Sequence, residues 1–78
     1  MVGRTLAKAR MSRGLSVAQV AEATKLRRVL VEAIERDDFR PSGSEFYVIS
    51  HLRMIAAVVG LDPNVVVMEF QRQHRIGA

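Results

Sequence analysis

Residues 16–36 contain two short blocks in which apolar residues recur at helical spacing, and a polar break separates them. The first block follows Ser16, a suitable helix N-cap, and its apolar face consists of Val17, Val20 and Ala21. Thr24 and Lys25 form the break. The second block has apolar residues at i, i+4, i+7 and i+8: Leu26, Leu30, Ala33 and Ile34. Two helices this short must pack against each other at a steep angle, which predicts a helix-turn-helix motif.

Two further stretches carry helical periodicity with clear end signals. Residues 3–13 are expected to form the first helix, and Gly14 is a suitable C-terminal stop. Residues 45–59 are expected to form the fourth helix, which Gly60 ends. The segment 37–44, between the helix-turn-helix motif and the fourth helix, contains proline and glycine and is expected to be a loop.

The last helix has the strongest start signal in the chain. Asp62 is a suitable N-cap and Pro63 occupies the first helical position, so a fifth helix is predicted to run to about residue 74. The fold class expected is all-α: a compact five-helix bundle forming one domain over residues 3–73, with a disordered tail over 74–78. Its predicted core consists of Leu6, Val20, Ala21, Leu26, Leu30, Ile34, Phe39, Leu52, Ile55, Leu61, Val66 and Phe70.

Composition restricts the function to binding. The chain has 78 residues, no cysteine and a net charge of +4, with basic clusters in 4–13, 25–28 and 72–75. Such a balance favours a polyanionic partner, nucleic acid before membrane; the alternative is solvated surface charge without a partner. His51 and His74 have no metal-ligand spacing, and no set of polar residues suggests catalysis. We therefore expect no enzyme activity, no cofactor, no metal and no small-molecule substrate.

No apolar run approaches the ~20 residues that a membrane span needs, and no signal peptide is apparent. A cytoplasmic location is expected, including the alternative that this is the cytoplasmic end of a longer, membrane-anchored protein.

Several residues at matching spacings resemble the Xre/phage-repressor helix-turn-helix family: Gly3, Leu6, Arg10, Gly14, Leu15, Ser16, Val20, Ala21, Ile34, Glu35 and Arg36. The stretches VAEATKLR, IERDDF and GLDP, together with Tyr47, Leu52 and Arg53, are similar to a narrower branch, the cytoplasmic helix-turn-helix domain of the RodZ family of bacterial cell-shape proteins. The resemblance covers about residues 3–73. It implies an ion pair between Arg10 and Glu35 that ties the first helix to the third.

The Xre resemblance implies DNA binding through the start of the second helix and the outer side of the third. The residues at those positions are Ser16, Lys25, Arg27, Arg28, Val29 and Glu32. Arg27 and Arg28 suit phosphates or a guanine edge, whereas Val29 offers only a thymine methyl contact. Glu32 would repel backbone phosphates unless it reads a cytosine. The sequence therefore predicts weak binding to duplex DNA, dominated by phosphate contacts, in a bacterial transcription regulator.

The RodZ resemblance implies that the fourth helix binds an actin-like filament protein. The residues assigned to this protein interaction are Phe46, Tyr47, Ile49, His51, Arg53 and Met54. Tyr47 and Arg53 match the family pattern, whereas His51 and Ile49 depart from it. The fourth helix is also apolar on nearly every side, which indicates either burial or a partner, including a second copy of the chain. The basic charge and the departures favour DNA binding over the cell-shape adaptor.

Overall fold

The computed structural model describes residues 1–74, which form five α-helices and no strand. The helices are α1 (Val2–Ser12), α2 (Val17–Thr24), α3 (Arg28–Glu35), α4 (Glu45–Val59) and α5 (Pro63–Gln73), with a short 3-10 turn at Arg40–Ser42. The predicted all-α fold with five helices is confirmed. His74 closes α5, and the rest of the predicted tail, 75–78, lies outside the described residues.

Local signals in the sequence set three of the helix ends. The Ser16 hydroxyl accepts a hydrogen bond from the Gln19 backbone N–H at 3.0 Å, and the Gln19 side chain accepts one from the Ser16 N–H at 2.8 Å. This reciprocal capping box starts α2. The Asp62 carboxylate accepts from the Asn64 N–H at 2.9 Å and starts α5. Gly60 ends α4 with φ +81°, a conformation that glycine adopts without strain.

The turn of the helix-turn-helix motif contains no glycine. Lys25 takes the left-handed conformation there, with φ 61°. The buried Thr24 hydroxyl donates to the Val20 carbonyl at 2.8 Å and accepts from the Leu26 N–H at 3.3 Å. These bonds fix the chain on both sides of Lys25 and offset the cost of its backbone conformation.

All five helices contribute to one apolar core. Eight of the predicted core residues are buried: Leu6, Val20, Ala21, Ile34, Leu52, Ile55, Val66 and Phe70. Four others are only half-buried and pack on the edge of the core: Leu26, Leu30, Phe39 and Leu61. These four therefore border the core and are less buried than the other eight.

The largest difference concerns the register of α3. Val31 is fully buried, whereas Leu30, its predicted counterpart, is half-buried. Because α3 packs against both α1 and α2, its buried face is centred on Val31 and Ile34, one helical turn apart. Periodicity alone fits burial of either Leu30 or Val31, since both lie next to the apolar face of α3 that contains Ile34.

The beginning of α1 is held by side chains from distant parts of the chain. The Val2 N–H donates to the Gln73 side-chain oxygen at 2.8 Å, and the Gly3 N–H donates to the Asp37 carboxylate at 3.0 Å. Gly3 is buried so closely that a Cβ atom there would lie 2.6 Å from the Ile34 carbonyl oxygen. Only glycine allows this approach of α1 to the end of α3.

Two leucines that differ in burial test this description of the core. Leu52→Ala is expected to lower the free energy of unfolding by about 2 to 5 kcal/mol, because it leaves a cavity among fully buried neighbours. Leu30→Ala, the same chemical change at a half-buried site, is expected to cost clearly less. Urea unfolding of both variants measures the difference. Equal losses would contradict the assigned register of α3.

Candidate interaction surfaces

Arg10 and Glu35 meet between the first helix and the end of the third. The Arg10 Nε lies 2.8 Å from one Glu35 carboxylate oxygen, and its Nη2 lies 3.1 Å from the other. Both side chains are largely buried, with 15% and 11% of their area exposed. The hydrogen bond and charge of Glu35 raise the pKa of Arg10, against a smaller opposing effect of burial. This bidentate geometry is the strongest form of an arginine–carboxylate contact.

The front of α3 presents an exposed basic group, which we call the α3 front: Lys25, Arg27 and Arg28. Among residues 1–74 none of the three forms an ion pair. Val29 follows with 66% of its area exposed, and Glu32 is half-buried. Ser16, also assigned to DNA binding, is exposed but its hydroxyl is already engaged in the capping box.

The outer side of α4 presents a mixed apolar surface, which we call the α4 surface: Phe46, Tyr47, Ile49, Arg53 and Met54. Phe46 is 74% exposed and Tyr47 is 55% exposed, with their ring centroids 5.4 Å apart in an edge-to-face arrangement. Met54 is 38% exposed and Ile49 is half-buried. The sequence indicated either burial or a partner for this helix. In the structure one side of α4 is buried in the core and the other side is exposed.

Arg53 borders a shallow apolar cavity on the α4 surface. The cavity has a volume of about 270 Å³ and is lined by Phe46, Ile49, Ser50 and Arg53. The Arg53 guanidinium donates to the Asn64 side-chain oxygen at 2.9 Å, which directs it along the helix surface. Sequence reasoning missed Ser50 and Asn64. Neither carries a signal in the sequence. The role of Asn64 arises only when α4 and α5 pack together.

His51 is placed differently from the other residues assigned to the protein interaction. Its Nδ1 lies 3.0 Å from the hydroxyl of the buried Ser42, so it joins α4 to the 3-10 turn. Burial lowers the pKa of His51. Its ring centroid is 6.4 Å from that of Tyr47. His51 therefore supports the α4 surface from the side.

A larger open depression lies between the end of α3 and the end of α5. Its volume is about 720 Å³, and its lining includes Arg36, Phe39, Arg40 and His74. Three hydrogen bonds from Arg40, two from its side chain and one from its backbone N–H, lower the pKa of Asp38 to about 2. In this depression Asp38 and Arg40 thus satisfy each other.

The described residues, 1–74, contain neither a metal-ligand cluster nor a membrane-spanning helix. No group of histidine and acidic side chains in residues 1–74 could hold a metal ion. No helix in that range is long and apolar enough to cross a membrane.

Comparison with known proteins identifies the family. Residues 5–66 match the family described as "Helix-turn-helix domain". The chain belongs to the helix-turn-helix domain family. It is also 37% identical over 65 residues to "Cytoskeleton protein RodZ" of Streptococcus pneumoniae (strain ATCC BAA-255 / R6). That similarity covers 83% of this chain but 24% of the relative. No solved structure matches the chain significantly.

The Arg10–Glu35 contact can be tested with a double-mutant cycle. Arg10→Met or Glu35→Gln alone is expected to cost about 3 kcal/mol, because each leaves a largely buried partner uncompensated. The double variant is expected to lose much less than the sum of the two. Chemical denaturation gives the three free energies of unfolding, and strictly additive losses would show that the two groups are not coupled.

Proposed function

We propose that this helix-turn-helix domain is a non-enzymatic docking module whose α4 surface binds a protein of the bacterial cytoskeleton. The observation that carries the proposal is the pair of neighbouring exposed aromatic side chains, Phe46 and Tyr47. Their position fits a protein contact better than a nucleic acid contact, since the α4 surface carries one arginine among apolar groups.

The fold itself gives no reason for these aromatic residues. The inner side of α4 already supplies the core through Val48, Leu52, Ile55, Ala56 and Val59. Phe46 and Tyr47 leave most of their area in water, where a polar residue would be less costly. Aromatic residues, methionine and arginine are the types enriched at protein–protein interfaces. A contiguous apolar patch of this composition is typical of a binding site.

The kind of partner is inferred from the similar protein. The relative in Streptococcus pneumoniae is named a cytoskeleton protein, and most of this chain aligns with it. The chain spans about a quarter of that relative's length, so the proposal concerns docking alone. An actin-like filament protein from the same cell is the appropriate probe.

Substitution of the aromatic pair tests the docking site. The double variant Phe46→Ser, Tyr47→Ser is expected to weaken binding of the filament protein by at least about 100-fold, because central aromatic side chains dominate interface energies. Its free energy of unfolding should change little, since both residues are exposed. Isothermal titration calorimetry measures the affinity.

Met11→Ser, Val29→Ser is the matched control, because it removes two apolar side chains of 58% and 66% exposure that lie on other helices. It should leave the affinity unchanged. Equal weakening by the two double variants, or no binding by the unaltered chain, would reject the α4 surface as the docking site.

A second candidate function is weak binding of duplex DNA through the α3 front. Lys25, Arg27 and Arg28 are exposed and lie together at the start of α3, the part of the motif that approaches a DNA major groove. Val29 and Glu32 supply no donors for reading bases. This arrangement supports phosphate contacts that position the domain without specifying a sequence.

The salt dependence of binding distinguishes this candidate. With about 4 phosphates neutralised, the slope of log affinity against log salt is expected to be near −3 to −4, with micromolar or weaker affinity at physiological salt. Arg27→Ala and Arg28→Ala should weaken binding equally for unrelated duplexes. An NMR titration at low salt locates the contact. No shift of the α3 signals would eliminate DNA binding and leave the docking proposal unaffected.

A further inference from the structure

A third exposed surface, formed by α1 and α5, takes no part in either proposed function. It carries three large apolar side chains that stay in water: Met11 at 58%, Val65 at 58% and Met68 at 60% exposure. Three exposed basic residues accompany them: Arg4, Lys8 and Arg72. None of the three basic side chains forms an ion pair with another residue of 1–74. We call these six residues the α1–α5 face.

Three of the six residues lie along one side of α1, and the other three lie along one side of α5. Arg4, Lys8 and Met11 follow one another at i, i+4 and i+7 along the outer side of α1. The corresponding stripe on α5 has the spacing i, i+3 and i+7 and consists of Val65, Met68 and Arg72. Each stripe therefore combines cations with apolar side chains, and neither stripe includes an acidic residue.

Contacts between α1 and α5 bring the two stripes side by side. The Thr5 hydroxyl donates to the Glu69 carboxylate at 3.1 Å, and the Val2 N–H donates to the Gln73 side chain at 2.8 Å. The two helices consequently run antiparallel, with Thr5 opposite Glu69. Glu69 is the acidic residue between these two helices, and its carboxylate accepts the hydrogen bond from Thr5.

From this juxtaposition we infer that the α1–α5 face is a peripheral binding surface for a bilayer rich in anionic phospholipid. Lysine and arginine can keep their charged ends at the headgroups while their aliphatic stems lie along apolar material. Exposed methionine and valine between them can enter the headgroup and acyl boundary. Basic residues next to exposed apolar side chains are a feature that the face shares with helices that lie on a membrane.

The composition of the face favours a lipid surface over duplex DNA. Duplex DNA would engage the cations but leave Met11, Val65 and Met68 in water.

The expected strength is modest. Each basic residue near an anionic surface strengthens binding roughly fivefold, so the three cations together contribute about 100-fold, and the apolar side chains add to this. The face would therefore act as a weak, salt-sensitive contact that orients the domain on a membrane.

Co-sedimentation of the chain with vesicles tests the inference. The chain is expected to bind vesicles of phosphatidylglycerol and phosphatidylcholine in equal parts at about 50 mM salt, and to be released at about 500 mM, where charges are screened. It should not bind vesicles of phosphatidylcholine alone. The triple variant Arg4→Gln, Lys8→Gln, Arg72→Gln should bind the anionic vesicles about 100-fold more weakly.

Matched controls separate this face from general electrostatic attraction. The variant Lys25→Gln, Arg27→Gln, Arg28→Gln removes the same charge from the α3 front and should retain most of the binding. Likewise Met68→Gln should weaken binding several-fold, whereas Met54→Gln on the α4 surface should not. Equal losses in the two triple variants, an equal effect of the two methionine changes, or no vesicle binding by the unaltered chain would overturn the inference.

Discussion

The guanidinium of Arg10 holds together three separate parts of the molecule. Two of its nitrogens bind the Glu35 carboxylate at the end of α3, and the third donates to the Leu15 carbonyl at 2.9 Å, just before α2 begins. One side chain of α1 thus fixes both the entry to the helix-turn-helix motif and its exit. Because the group is largely buried, these charge-assisted bonds meet little competition from water.

The contacts of Arg10 lie on the inner sides of the helices, and the outer sides of α3 and α4 remain exposed. The α3 front is exposed because α3 directs Val31 and Ile34 inward, and the α4 surface is open because the opposite side of α4 fills the core. Each of these exposed surfaces is therefore a by-product of which side a helix buries. A small domain of five helices can carry several distinct contacts without altering its core.

Local signals could be predicted from the sequence, and contacts between distant residues could not. Ser16 and Asp62 cap their helices as predicted because a cap involves residues only two or three positions apart. The choice between Leu30 and Val31 depends on where α1 and α2 lie, which periodicity does not contain. For the candidate surfaces, the exposure of Phe46 and Tyr47 depends likewise on which side of a nearly all-apolar helix meets the core. The Asn64 contact with Arg53 has no sequence signal at all.

The bonds that hold the start of α1 have a consequence for the order in which the domain assembles during synthesis. The partners of the Val2 and Gly3 amides are Gln73 and Asp37, separated from them by 71 and 34 positions. A ribosome must therefore release nearly the whole domain before α1 can dock completely. The helix-turn-helix motif, built on short-range bonds, can form earlier, so the first helix to be made is among the last to become fixed.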